Sequence, residues 1–238
     1  NIKEIAIIVK SKEKDRFFSL LGHGERYGVD ITYLIQDKPN GLAEAFIIAE
    51  DFIGQSEVTL ILGDNIFYGD ALKNSLSEDF NGGAKIVCCK VNDPERYGVA
   101  RIEGENVVQI IEKPDEFISH FAVTGIYVYD NSVVRKSKSL SPSSRGELEI
   151  TDLNNLFINE GNLRGSFLDS EMIWMDTGTF DSLHDASALV KALQNRSGHL
   201  IGSPELAAYH NNWVSKEKLL ANLSSNNPYE ESVLSSLD

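Results

Sequence analysis

Strand-sized apolar runs alternate with stretches of 3.6-residue periodicity through the first half of the chain, an α/β signature. Ile5-Ala6-Ile7-Ile8-Val9 forms the first strand, a helical pattern from Glu13 to Leu21 ends near Gly22 and Gly24, and Ile31 to Ile35 forms a second strand. From Gly41 to Ile53 the positions Leu42, Ala45, Phe46, Ala49 and Ile53 recur at helical spacing, with Gly54 as the C′ stop. Val58 to Leu62 is apolar almost throughout, the pattern of a strand buried on both faces of a parallel sheet.

The second half crowds its strands together. Lys85 to Val91, Gly98 to Ile102, Val107 to Ile111 and Val123 to Tyr129 are separated by turn chemistry such as Asp93-Pro94 and Gly104, which predicts antiparallel additions to the sheet. Helical periodicity returns with Ile150, Leu153 and Phe157 and again with Leu183, Ala186, Val190 and Leu193. The tail from Pro204 to Asp238 reads as short helices broken at Ser224 to Asn227. The economical architecture is one mixed α/β domain over residues 1–200 with a helical C-terminal appendage over 201–238.

Composition narrows the function classes. Lys+Arg 22 against Asp+Glu 36 gives a net charge of −14, which repels phosphate polymers unless basic residues gather on one face, and no basic stripe interleaved with aromatics exists. Nucleic acid polymers are not expected partners. The longest apolar runs are strand-sized, far below the roughly 20 residues of a membrane span, so no membrane partner is expected either. The two cysteines, Cys88 and Cys89, are adjacent on a strand and point to opposite faces, a poor disulfide or metal pair, which fits a reducing cytoplasmic compartment. The chain opens on Asn1 with neither initiator Met nor signal peptide, the expectation for the remainder of a longer polypeptide.

Ligands of open α/β sheets bind beyond the carboxyl ends of the strands. Asp64, in Leu62-Gly63-Asp64-Asn65, follows a buried strand and can hold Mg²⁺ against a phosphate, although Gly-Asp-Asn is also ordinary turn chemistry. Asp176, in Trp174-Met175-Asp176-Thr177-Gly178-Thr179, is a second such carboxylate or a favourable charge at a helix start capped by Thr179. The two would clamp one divalent ion if the fold joined them. Glu112 and Lys113, stopped by Pro114, can accept from sugar hydroxyls and donate to a phosphate, or form a solvated ion pair at a strand end. Arg145, opening the helix at Glu147-Leu148-Glu149-Ile150-Thr151, can reach phosphate bidentately or simply belong to a capped helix start. Gln36 offers an amide to a nucleobase edge, and Gly41 can bring backbone amides to a ligand at a helix N-terminus, although Pro39-Asn40-Gly41 needs no ligand to turn. The five histidines show no metal-ligand spacing, and no nucleophile elbow or Cys/His pair supports covalent catalysis.

In identity and order these segments resemble the bacterial glucose-1-phosphate thymidylyltransferases of the sugar nucleotidyltransferase family. The shared stretches run from Pro39-Asn40-Gly41-Leu42-Ala43-Glu44-Ala45-Phe46 through Leu62-Gly63-Asp64-Asn65-Ile66-Phe67-Tyr68-Gly69, Asp93-Pro94-Glu95-Arg96-Tyr97-Gly98-Val99, Glu112-Lys113-Pro114 and Ala122-Val123-Thr124-Gly125-Ile126-Tyr127 to Arg145-Gly146-Glu147-Leu148-Glu149-Ile150-Thr151 and Asp176-Thr177-Gly178-Thr179. The resemblance implies a Rossmann-like mixed sheet flanked by helices, the nucleotide-diphospho-sugar transferase fold, with a sugar-binding insertion at about residues 93–150. It implies attack of a sugar 1-phosphate oxygen on the α-phosphorus of dTTP, Mg²⁺-dependent and without a covalent enzyme intermediate, giving dTDP-glucose for deoxysugar synthesis. It further implies a homotetramer or dimer. Carried over by motif, Asp64 and Asp176 hold the metal, and Lys113 joins them as a catalytic group. Gln36 and Gly41 contact thymine; Gly98, Glu112, Lys113, Val123 and Arg145 hold the sugar phosphate, with Tyr127 lining its pocket.

Two departures accompany the likeness. Relatives begin with a strand and a loop of the form Gly-Gly-x-Gly-Thr-Arg-Leu, followed by a Lys before Leu-x-Pro, and residues 1–238 hold neither. The expectation is a sheet without its first strand and phosphate loop, an exposed edge beside a buried strand, and a polypeptide nearly inactive by itself. His210-Asn211-Asn212-Trp213 also stands where the family carries a basic residue followed by Lys- or Asn-Gly, a region linked by resemblance to assembly and a secondary nucleotide site. The alternative function is a non-catalytic module or scaffold that keeps sugar-phosphate or nucleotide-sugar binding.

Overall fold

A computed structural model describes residues 2–77, 80–168, 172–223 and 227–237. In chain order the elements begin with β1 (Glu4–Val9), α1 (Lys14–Leu21), β2 (Asp30–Ile35), α2 (Glu44–Ile48), α3 (Glu50–Ile53), β3 (Val58–Ile61) and β4 (Asn65–Tyr68). They continue with α4 (Ala71–Ser77), β5 (Ala84–Lys90), β6 (Gly98–Glu103), β7 (Asn106–Glu112), β8 (Phe121–Tyr129), α5 (Ser132–Ser139) and α6 (Ile150–Asn159). The last are β9 (Leu163–Leu168), β10 (Ile173–Asp176), α7 (Phe180–Ser197), α8 (Pro204–His210), α9 (Lys216–Asn222) and α10 (Pro228–Ser235). Of the break expected at Ser224 to Asn227, Ser224, Ser225 and Asn226 lie outside the described residues, while Asn227 accepts the Glu230 N–H at 2.9 Å and caps α10.

The chain divides into two units, residues 1–38 with 185–238 and residues 39–184. In the first, β1 and β2 pair in parallel, Ile5 opposite Ile31 and Ile7 opposite Tyr33. Their apolar side chains pack with the C-terminal helices: Tyr27, Val29 and Ile31 share a core with Leu206, Ala208, Val214, Leu219, Val233 and Leu237, against which Ile5 and Ile7 also lie. The sequence pattern places a boundary at residue 200 and treats 201–238 as an appendage; by packing, that tail shares a core with the first strands. Hydrophobic periodicity states which face of α9 is apolar, but not that its partner lies some 190 residues earlier.

The second unit is a mixed sheet ordered β7-β6-β8-β5-β9, with β3 also on β8. β5 and β9 run parallel; β3, β5 and β6 run antiparallel to β8, and β7 antiparallel to β6. Helices cover it through an aromatic core: Phe46 of α2 and Phe157 of α6 lie 5.1 and 5.4 Å from the Tyr129 ring, whose hydroxyl donates to Asn154 Oδ1 at 2.6 Å. The antiparallel additions expected for the second half are present. Two local readings need correction. Val58 to Ile61 pairs antiparallel and is only part-buried, Ile61 being 57% exposed, so its continuous apolar character does not mark a strand covered on both faces. The helix expected from Gly41 starts only at Glu44, since Gly41 (φ 106°) is in the left-handed region and cannot join it, and it is interrupted at Ala49 (φ −92°, ψ 12°). The short β4 and β10 carry no alternation and were not foreseen.

Candidate functional site

A strand has two edges, and β8 uses both unequally. Along one edge β5 follows it from Phe121 to Tyr129; along the other, β3 pairs only with Ile126–Tyr129 and β6 only at Ala122. Between them lies a fork at Val123–Gly125. Here the chain leaving β3 turns outward: Leu62 N donates to Gly125 O at 2.9 Å, and Gly125 N donates to the Asn65 side chain at 3.1 Å. The backbone is thus satisfied while the sheet stays open, the condition for a ligand cleft in an α/β sheet.

Both aspartates singled out from the sequence stand at this fork. β4 and β10 form an antiparallel ribbon in which Asn65 is opposite Asp176, so Asp64, one residue earlier, adjoins it. Thr177 fastens the two loops by donating from N at 2.8 Å and from Oγ1 at 2.7 Å to the Asp64 carbonyl. A Cβ built on Gly178 would lie 3.1 Å from Asp176 Oδ1 and 3.7 Å from Asp64 Oδ2, so both carboxylates border the space over Gly178. The expected Thr179 cap is formed, its Oγ1 accepting the Ser182 N–H at 3.1 Å. Two hard oxygen donors facing one space suit a cation that keeps waters and takes further oxygens from a phosphate. Among the described residues no group of three or more His, Cys, Asp or Glu forms a protein-only metal cage.

On the β6 side, Gly98 pairs with Glu112 across the β6–β7 ladder, and a Cβ on Gly98 would meet Glu112 Oε2 at 3.2 Å and Thr151 Oγ1 at 3.4 Å. Thr151, 5% exposed, donates to Glu112 Oε2 at 2.7 Å. Lys113 takes φ 43° and donates its N–H to Tyr97 O, turning the chain out of β7. Arg145 approaches Glu112 at 3.8 Å but is gripped by Glu149, Nη2 at 2.8 Å and Nε at 3.1 Å. Tyr127 is buried on β8 and stacks on Tyr129; burial, with the nearby Glu112 charge, pushes its hydroxyl pKa up, so it remains neutral. Val123 lies buried at the fork itself. The structure therefore gathers Gly98, Glu112, Lys113 and Arg145 on the β6 side of the fork, with Val123 at the fork itself and Tyr127 on the stretch of β8 that pairs with β3.

Burial opposes the charge of Glu149, but hydrogen bonds from Arg145 and from Ser143 (2.6 Å) outweigh it and hold its pKa below the usual carboxylate value. A lowered folded-state pKa contributes stability that is complete above the ordinary glutamate value of about 4.3 and is lost as pH falls through the folded value. Glu149→Gln should therefore flatten the acid limb of a melting-temperature profile below about pH 5. An unchanged limb, read by circular dichroism, refutes the grip.

Gln36 and Gly41 fall in different units. Gln36 N donates to Val9 O at the end of the β1–β2 pair. Gly41 sits against the Arg145–Thr151 segment: Leu148 N donates to Asn40 O at 2.7 Å, and a Cβ on Gly41 would overlap Leu148 O at 2.3 Å. A packing role for this glycine is thus explicit. Cys88 and Cys89 are buried free thiols, Cys88 pushed up to about 12 by burial and by Cys89. Asn65, Trp174, Thr151 and Glu149 all serve the cleft, and sequence reasoning gave none of them a role. Asn65 and Thr151 each stand inside a recognisable motif, which was the available signal.

Residues 1–192 match the family model described as nucleotidyl transferase. The chain is 42% identical to a glucose-1-phosphate thymidylyltransferase of Neisseria meningitidis over 98% of this chain and 83% of that one. It is 41% identical to one of Mycobacterium tuberculosis over 92% and 77%. A solved Bacillus anthracis structure, described as a glucose-1-phosphate thymidylyltransferase in complex with sucrose, superposes with a TM-score of 0.73 at 40% identity, covering 85% of this chain and 79% of that one. A UDP-glucose pyrophosphorylase complexed with UDP-glucose, 19% identical, shares the fold at a TM-score of 0.68 over 80% and 81%.

Proposed function

Since the chain belongs to the nucleotidyl transferase family, we propose that it joins glucose 1-phosphate to the thymidylyl group of dTTP, forming dTDP-glucose and pyrophosphate. The observation that carries this reading is the meeting of Asp64 and Asp176 at the β8 fork, beside Glu112, Lys113 and Arg145. A phosphate oxygen of glucose 1-phosphate forms a bond to the α-phosphorus as the bond from that phosphorus to the β-bridging oxygen breaks, and the pair of electrons leaves with pyrophosphate. No side chain need be a nucleophile; charge neutralisation and in-line placement suffice.

Each group has a task in this scheme. Glu112, oriented by Thr151, accepts from glucose hydroxyls, while the β6–β7 backbone at Gly98 leaves room for the ring. Lys113 and Arg145 meet the sugar phosphate, and Val123 and Tyr127 form the wall. Gln36 and Gly41 address the thymine. Asp64 and Asp176 hold Mg²⁺, which supplies Lewis-acid stabilisation of the reacting phosphates when bound. Reduced buried thiols and phosphorylated metabolite substrates suit the cytoplasm. Assembly as a homotetramer or dimer goes with the same reading.

The test is pyrophosphate release from dTTP and glucose 1-phosphate with Mg²⁺, measured for residues 1–238 and for the same chain with a segment containing Gly-Gly-x-Gly-Thr-Arg-Leu joined ahead of Asn1. Release requiring both substrates and abolished by chelation is expected, with the extended chain faster by about 100-fold or more, because each 1.36 kcal/mol of lost phosphate stabilisation is tenfold in rate. Absence of release from both, together with no calorimetric heat from dTDP-glucose, overturns the proposal.

A further inference from the structure

Asn65 makes three hydrogen bonds that serve three segments. Its Oδ1 accepts from Trp174 Nε1 at 2.7 Å and from Gly125 N at 3.1 Å, and its Nδ2 donates to Asp64 Oδ1 at 2.8 Å. Both partners of Oδ1 are obligate donors, an indole N–H and a backbone N–H, so the amide has one orientation and its NH₂ must face Asp64. The reverse orientation would set two donors against an NH₂ and an amide oxygen against a carboxylate. There is also no room to move: a Cβ on Gly125 would lie 2.7 Å from the Asn65 amide carbon, so the strand backbone is pressed against the amide plane.

The consequence falls on Asp64. Its carboxylate is solvent-facing, and an exposed aspartate ordinarily samples several rotamers. Here one oxygen is engaged by Asn65, which leaves Oδ2 as the oxygen directed to the space shared with Asp176 over Gly178. Trp174, which fixes the amide, also lies 4.9 Å from the Tyr97 ring, and Tyr97 immediately precedes Gly98 on the sugar-phosphate side. We propose that Asn65 is a positioning residue that presents Asp64 to the divalent cation in a single geometry, with Trp174 setting the amide. The proposal rests on the assignment of Asp64 to the cation given above.

Its test is a double-mutant cycle read by Mn²⁺ binding. Mn²⁺ is titrated into the protein saturated with dTDP-glucose and followed by water-proton relaxation, with kcat and the KM for glucose 1-phosphate measured in parallel on the chain carrying the added N-terminal loop. Asn65→Ala should weaken Mn²⁺ about tenfold and lower kcat with KM changed less than threefold, since a freed carboxylate loses orientation while sugar contacts stay. In an Asp64→Asn background the same substitution should cost nothing further, because its effect passes through the carboxylate. Trp174→Phe, which keeps the ring against Tyr97, should weaken Mn²⁺ about threefold and should likewise lose its effect once Asn65 is alanine. Additive losses, or wild-type Mn²⁺ affinity in both Asn65→Ala and Trp174→Phe, overturn the proposal while leaving Asp64 as a ligand. If Asp64→Asn itself leaves Mn²⁺ binding unchanged, the cation assignment fails and the proposal with it.

Discussion

Asp64→Asn and Asp176→Asn are each expected to lower turnover by about 100- to 1,000-fold, the loss typical of removing one charged stabiliser from a developing transition state. The substitution is isosteric, so the fold should remain. Asn65 still has Trp174 and Gly125 as donors to its oxygen, and Thr177 binds the Asp64 carbonyl rather than its carboxylate. At 176 the Gly178 N–H still finds an amide oxygen where it now meets Asp176 Oδ1 at 3.0 Å. What is lost is charge at the space over Gly178. Glucose 1-phosphate affinity should change little, because Glu112, Lys113 and Arg145 stand on the β6–β7 side. The pair of measurements is steady-state pyrophosphate release and calorimetry with glucose 1-phosphate. Full turnover in either variant removes that residue from the reaction.

Gly41→Ala should strongly destabilise the second unit. The position requires φ 106°, which an L side chain adopts only under strain of about 1–3 kcal/mol, and the new Cβ would sit 2.3 Å from Leu148 O and 2.5 Å from Leu148 N. Those atoms are backbone and cannot rotate away. Leu148 N also donates to Asn40 O, and Ala43 N to Leu148 O, so relieving the overlap breaks the clamp that ties this loop to the Arg145–Thr151 segment. A loss of about 3–5 kcal/mol follows, and for a protein of this size each kcal/mol moves the melting temperature by about 2–4 °C. Because Glu149 and Thr151 orient Arg145 and Glu112, weakened glucose 1-phosphate binding should accompany the lower melting point. A melting temperature within about 2 °C of the parent shows that the close approach is absent.

Much of this could be read from the amino acids. β5, β6, β7 and β8 announce themselves through length, apolar content and turn residues between them, and α6 through Ile150, Leu153 and Phe157. β4 and β10 could not: Asn65-Ile66-Phe67-Tyr68 and Ile173-Trp174-Met175-Asp176 are four residues each, without a buried residue between them, and held by each other rather than by a periodic face. Their pairing is what joins Asp64 to Asp176 across more than a hundred residues, so the conjunction of the two carboxylates was legible only by resemblance. The fork in β8 is likewise a property of pairing. Val123-Thr124-Gly125 reads as an uninterrupted part of a strand, yet its edge is left open because β3 stops at Ile61 and β6 reaches only Ala122. Candidate residues were visible one at a time, whereas the partners that orient them, Thr151 for Glu112 and Glu149 for Arg145, depend on where α6 docks.

The shared core of residues 1–38 and 185–238 has a consequence for synthesis. Ribosomes add roughly 5–20 residues per second, so on the order of 10–40 s separate the emergence of Ile31 from that of Leu206, Leu219 and Val233, which cover it. Through that interval β1 and β2 form a two-stranded ribbon without its helices, and such a ribbon is marginal in water. The intervening residues 39–184 carry their own core and can close first. β1 and β2, made well before α8, α9 and α10, are then buried later than the elements that follow them, and through that interval their apolar face is open to chaperones and proteases.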